Sequence, residues 1–242
     1  MKLLLAAATL LAGSAVAGGA YWTFLNTPES TVFTLAASIA LMLVTLAVAS
    51  LTINMAVEAS TQGLSTAAVR RAARAVPAVL PAGLLLLLSW WITAGIEDWF
   101  TVRSGQISAL FIARLGWSDV SWLFSGVHYL AIWLRWVVAA LLAASLMASI
   151  LAMGWPALRQ AMWIRRALHP RAIAVATAAF ALFVAVPWLY LVPWRPRGIP
   201  ATSAELAFIG AKLAVAAILF AVGGAIMIRE ASRVPPATHT AP

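Results

Sequence analysis

Of the chain's 242 residues, 64% are hydrophobic and 10% charged, far below the quarter or so of charged residues in a soluble domain. The formal charge of +9 sits mostly in short segments between apolar runs, which is the footprint of membrane orientation and argues against nucleic acid. There are no cysteines, so disulfides, thiolate metal sites and cysteine nucleophiles are excluded.

A membrane crossing takes about 20 apolar residues. Six runs of that kind predict an all-α, polytopic transmembrane bundle, with spans at about 3–25, 33–57, 77–97, 128–153, 172–193 and 204–228. The short alternating segments of a β-barrel do not occur. Residues 1–230 read as one membrane domain, and 231–242, ending PPATHTAP, as a short disordered cytoplasmic tail.

The first run has two readings. Met-Lys, then Leu3 to Leu11, then Ala15-Val16-Ala17 has the order of a cleaved signal peptide. Against this, Leu3 to Leu25 is long enough to span, and Gly13, Gly18 and Gly19 suit a packed helix. We read it as a span; cleavage would leave five spans in the same orientation.

After the second span, which carries Asn54 and Glu58 near its end as a polar helix–helix contact, comes the basic segment 58–76. A matching segment, 154–171, follows the fourth span. Each is stop-transfer charge or a short interfacial helix on anionic lipid, and stop-transfer charge is the simpler reading. Between them, in the segment 98–120, Ile107, Leu110, Phe111, Arg114 and Leu115 have helical spacing between Gly105 and Gly116. That predicts a short amphipathic helix, with Ser118-Asp119 opening the next one.

Charge then sets orientation. With the N-terminus inside, the inner segments hold ten bases and two acids, Glu58 and Glu230. The outer segments hold six bases and five acids. This positive-inside pattern predicts a bacterial-type inner membrane protein with both termini cytoplasmic. Ten of the twelve tryptophans fall on the outer side, an imbalance that two symmetrical aromatic belts would not produce.

The fourth run holds Arg135 between Trp133 and Trp136. Counting back from Gly154 gives nineteen residues, about 28 Å of helix, which puts Arg135 near the outer hydrocarbon edge. Residues 120–134 are apolar too, so this helix starts well before Arg135 and tilts, kinks near Gly126 or projects outward. Ser121, Ser125, His128, Arg135 and Ser149 share about a third of its circumference, and Ala140, Ala144, Ala148 and Ala152 form a small-residue ladder on another side.

Other spans place polar groups at similar depth. Lys212 in the sixth span and Trp90 and Trp91 in the third lie about 25 Å from the inner side, with Glu97 and Asp98 just beyond. Pro187 predicts a kink in the fifth span beside Trp188 and Tyr190. Together His128, Arg135, Lys212, Glu97, Asp98, Trp90, Trp91, Trp133 and Trp136 make a candidate outward-facing pocket for an anionic head group.

Each piece also has a plain structural use. Thr202 and Glu205 have capping-box spacing, Lys212 can pair with Glu205, Glu97-Asp98 can end the third span, and His128 can be a hydrogen-bonded structural histidine. No catalytic constellation, metal motif or nucleotide-binding motif occurs, and no cofactor is expected. No internal repeat is visible. The reading is a permease component or a membrane subunit of a larger complex, in contact with lipids and other membrane subunits. The alternative is a membrane enzyme or lipid-binding protein that uses the outer pocket.

Overall fold

The computed structural model describes residues 1–28, 31–117, 119–194 and 202–233, without the side chains of 202–204. It is all-α, with no strand among those residues. Six helical stretches are long and apolar enough to cross a membrane: Lys2–Leu25, Val32–Thr61, Val76–Val102, Ser121–Met153, Pro170–Leu191 and Glu205–Ser232. By length and composition this is a multi-pass membrane protein.

Helices α1 (Lys2–Leu25) and α2 (Val32–Thr61) form a hairpin. Its closest approach is at Gly13, where even a Cβ would lie 2.0 Å from Thr52 Oγ1. Gly18 and Gly19 meet nothing within 4 Å, so of the three only Gly13 works as a packing residue. The basic segment after α2 folds as α3 (Thr66–Arg74), capped by Ser65, whose hydroxyl accepts from the Ala68 amide at 3.1 Å. A 3₁₀ turn at Val76–Ala78 then leads into α4 (Val79–Val102). The third span therefore continues one turn past Glu97 and Asp98, which lie inside the helix rather than at its end.

Helix α5 (Ser104–Leu115) is the short amphipathic helix expected from spacing, and it stops at Gly116 in the left-handed region, φ +68°. The fourth span starts earlier than 128. It runs as α6 (Ser121–Trp133), a π-helical turn at Leu134–Val138 and α7 (Ala139–Met153). Asp119 Oδ1 opens it by accepting from the Ser121 amide at 2.8 Å; Ser118 lies outside the described residues. The second basic segment contains α8 (Met162–Ala167) and leads into α9 (Pro170–Phe180). The fifth span continues as two π-helical turns, Ala181–Ala185 and Pro187–Leu191. A proline has no amide hydrogen and its ring crowds the preceding turn, so the kink expected at Pro187 takes the form of a widened helix. The last span is α10 (Thr202–Ser232).

The fourth span is the centre of the bundle: 56% of its most apolar stretch is buried, against 6–22% in the other five. Packing is concentrated toward the end that holds Lys2 and Arg233. In α2, Ser38 is the one buried residue between Thr31 and Ala49, whereas Ser50, Thr52, Asn54, Ala56, Val57, Glu58, Ala59 and Ser60 are all buried. The buried residues of α1 are Ala6 and Ala7, near the same end.

One cluster there joins Ala6, Ala7, Ala56, Ala59, Ala148, Ala225 and Ile228 from four spans. Of the 30 buried apolar residues among those described, 21 are alanine. Small side chains let helices approach closely where lipid removes the hydrophobic drive to associate. The ladder on α7 takes part through Ala144 and Ala148, while Ala152 is exposed. We call this the basic end and the opposite one the aromatic end.

Candidate functional site

At the aromatic end, α4 and the fourth span are tied by one carboxylate. Glu97 Oε2 accepts from Arg135 Nη2, and Glu97 Oε1 lies 2.8 Å from His128 Nδ1. A carboxylate oxygen accepts, so Nδ1 is the donor of this pair. The rest of the Arg135 head is also engaged. Its Nε donates to Thr93 Oγ1 at 2.6 Å, and its guanidinium carbon stands 4.6 Å from the centre of the Trp90 ring. Trp90 in turn meets Trp136 edge-on, with ring centroids 6.5 Å apart.

Local sequence explains this arrangement. Trp90, Thr93 and Glu97 are spaced i, i+3, i+7 and share a face of α4. His128 and Arg135 are seven residues apart, two turns along the facing helix. Arg135 and Trp136 sit in the π-helical turn, whose wider winding resets how the residues beyond it face. The side chain of Arg135 is 12% exposed, that of Glu97 20% and that of His128 60%. The cation is thus neutralised and mostly shielded, and the histidine ring is the open part of the cluster.

The other residues assigned to an outer pocket go elsewhere. Trp133 turns to the fifth span, where its Nε1 donates to Thr177 Oγ1 at 2.9 Å. Trp91 and Asp98 lie on an adjacent, exposed face of α4 and line an open groove with Gly95 and Trp99. Lys212 joins neither Arg135 nor Glu205. Its Nζ donates to the carbonyls of Val192 and Trp194, both at 2.7 Å, and lies 5.2 Å from the centre of the Phe208 ring. A helix end leaves carbonyls without amide partners and carries partial negative charge, and Lys212 caps such an end on the fifth span. The capping box expected at Thr202 involves a side chain outside the described residues.

The basic end holds its own polar contacts. Arg71 grips Glu58 with two bonds, at 2.7 and 2.8 Å, and reaches Gln62 at 3.1 Å. The hydrogen bond to Glu58 raises the Arg71 guanidinium further above its ordinary range. Asn54 donates to the Ala72 carbonyl at 3.2 Å, so the polar residues of α2 hold the loop helix α3 rather than another span. Ser149 shares the stripe with Arg135 but belongs to this end, where Arg166 Nη1 donates to its hydroxyl at 3.4 Å.

Sequence reasoning passed over Thr93, Thr177 and Arg166. The spacing of Trp90, Thr93 and Glu97 was a usable signal for the first; the other two depend on which helices become neighbours. Among the described residues, no three His, Asp or Glu side chains come together as a metal site would need. No protein-family model, curated protein or solved structure matches the chain.

Proposed function

We propose that this protein is a membrane subunit of a larger assembly, or a permease component, seated in a bacterial-type inner membrane with both termini cytoplasmic. The observation that carries the reading is one-ended packing. From Val32 to Leu46, α2 exposes Val32, Phe33, Leu35, Ile39, Met42, Leu43, Val44 and Leu46, spread around its circumference. A second membrane component covers such a surface without altering the packed end. The orientation draws on ten bases against two acids at the basic end.

Gentle detergent extraction of the full-length protein tests the assembly. A stoichiometric membrane partner is expected, and a clean monomer at high yield overturns the reading. For orientation, a reporter fused after Pro242 should be active only in the cytoplasm; periplasmic activity overturns that part.

A second reading, an outward-facing site for an anionic head group, draws on the open ring of His128 beside Arg135 and Glu97. It stands behind the first because Arg135 and Lys212 are both engaged within the chain. A ligand there would have to displace Glu97 from Arg135. If it does, Glu97→Gln should increase retention of anionic lipid at the aromatic end, and unchanged retention removes this reading.

A further inference from the structure

The acids of the basic end are both committed. Glu58 pairs with Arg71, and Glu230 with Arg171 and Arg233. Cations whose heads reach water or lipid head groups need no protein partner. Arg166 is different, because only 9% of the residue is exposed. Its Nη1 makes the one long bond to Ser149, and its fully buried Nε has no acceptor among the described residues. The Nε–Nη2 edge, the one with which Arg71 grips Glu58, therefore has no partner among the described residues. A buried guanidinium lacking a counter-charge is strongly unfavourable.

A second observation concerns the helix that carries it. Helix α8 and its C-cap residue bury Arg166 and Ala167 and leave Met162, Ile164 and Leu168 exposed together with Arg165. Exposed apolar side chains mixed with a base suit the boundary between acyl chains and head groups, where the abundant anion is the lipid phosphate. The uncompensated bases nearby add an attractive field for that anion.

We propose that Arg166 binds the phosphate of an anionic membrane phospholipid at the basic end. The Nε–Nη2 edge takes two phosphate oxygens, after a small turn that brings Nε out. Ser149 holds the Nη1 side, and the acyl chains run along Met162, Ile164 and Leu168. Arginine suits this role because its planar fork matches phosphate geometry bidentately. The proposal does not depend on the assembly: a monomeric preparation that holds the lipid would refute the proposed function and leave this site standing.

The full-length protein, purified in mild detergent, is analysed by native mass spectrometry for retained phosphatidylglycerol. Wild type should retain it, and Arg165→Met, which removes one exposed base of that field but no bond to the phosphate, should retain at least half as much. Arg166→Met should lose at least tenfold, and Arg166→Lys, which keeps the charge without the fork, severalfold. In parallel, delipidated protein is melted with short-chain phosphatidylglycerol or with inorganic phosphate. Wild type should gain thermal stability from the lipid alone, and Arg166→Met should gain none, whatever its starting stability. An equal gain from inorganic phosphate would assign the site to a free anion and overturn the lipid. Equal lipid retention in Arg166→Met or Arg166→Lys, or a wild type unresponsive to lipid, overturns the site and returns Arg166 to a carboxylate from another chain.

Discussion

The two ends of this bundle are held together differently. At the basic end, alanines and serines from several spans bring helices close, and α3 is clamped on by Arg71–Glu58 and Asn54. At the aromatic end, large side chains face outward, and the helices are joined by a few polar ties: Glu97 to Arg135 and His128, Trp133 to Thr177, and Lys212 to two carbonyls. In lipid, burying a leucine between helices gains little over leaving it among acyl chains, so close fit decides where a bundle is tight. Side-chain size thus separates the two ends.

The largest contrast is expected from emptying space in the packed core and on the outward-facing surface. Leu141 is 1% exposed and packs with Val137, Ala176 and Ala179, whereas Leu43 is 61% exposed. Leu141→Ala should cost about 2–5 kcal/mol through the cavity it leaves. In the isolated chain, where lipid or detergent covers this surface, Leu43→Ala should cost little because the same molecules fill the gap. Denaturation in a fixed mixed micelle measures both, and equal losses would break the comparison. Filling space gives the next effect. Gly13→Ala drives a methyl into Thr52, including its Cβ at 2.7 Å, which rotation of the threonine cannot clear. The expected cost is about 1–3 kcal/mol. Gly18→Ala meets nothing within 4 Å and should stabilise by up to about 1 kcal/mol through helix propensity.

The polar ties respond on a smaller scale and more locally. Glu97→Gln removes the charge that balances Arg135 and should cost about 2 kcal/mol, typical of a hydrogen bond to a charged group. His128→Ala should cost well under half of that, because most of the ring is open. If His128→Ala costs as much as Glu97→Gln, the histidine is a structural member of the cluster. Cysteine cross-linking between α4 and α6 should show the spans parting at the aromatic end alone. Loosening at both ends would mean that the polar tie supports the whole bundle.

These contrasts also mark what the sequence could reveal. Six spans, the short helix α5 and the early start of the fourth span follow from run length and periodicity, which are properties of single segments. Which polar groups meet is a property of neighbouring helices. Lys212 and Arg135 lie at similar depth, and depth is readable by counting from the basic ends. Yet Lys212 caps the fifth span while Arg135 pairs with the third, and no count within one span decides between those partners. The π-helical turn at Leu134–Val138 adds to this, because it shifts the residues beyond it out of the register that regular helical spacing assumes. At the aromatic end, the sequence offers Trp90, Trp91, Trp133 and Trp136 as pocket lining. Most of those rings instead face outward, as expected where small residues have taken the close contacts.

The smallest expected effect lies at the start of the fourth span and separates the two ends by pH. The Ser121 amide donates to Asp119 and holds its carboxyl below the usual carboxylate range. A carboxyl whose pKa is depressed by folding contributes stability above its unfolded pKa, and that contribution fades as pH falls through the folded value. Asp119→Asn should therefore loosen the first turn of α6 slightly at neutral pH, and the difference from wild type should fade as pH falls from about 4, the unfolded carboxylate value, through the lower folded one. At the basic end, Arg71 shifts the other way. A raised guanidinium loses its contribution only as pH climbs through a folded value far above any working range, so it adds no pH dependence there. Amide exchange across residues 121–125, compared with 66–70, reads both at once. Acid sensitivity in α6 that persists unchanged in Asp119→Asn would place its source outside the Asp119–Ser121 turn.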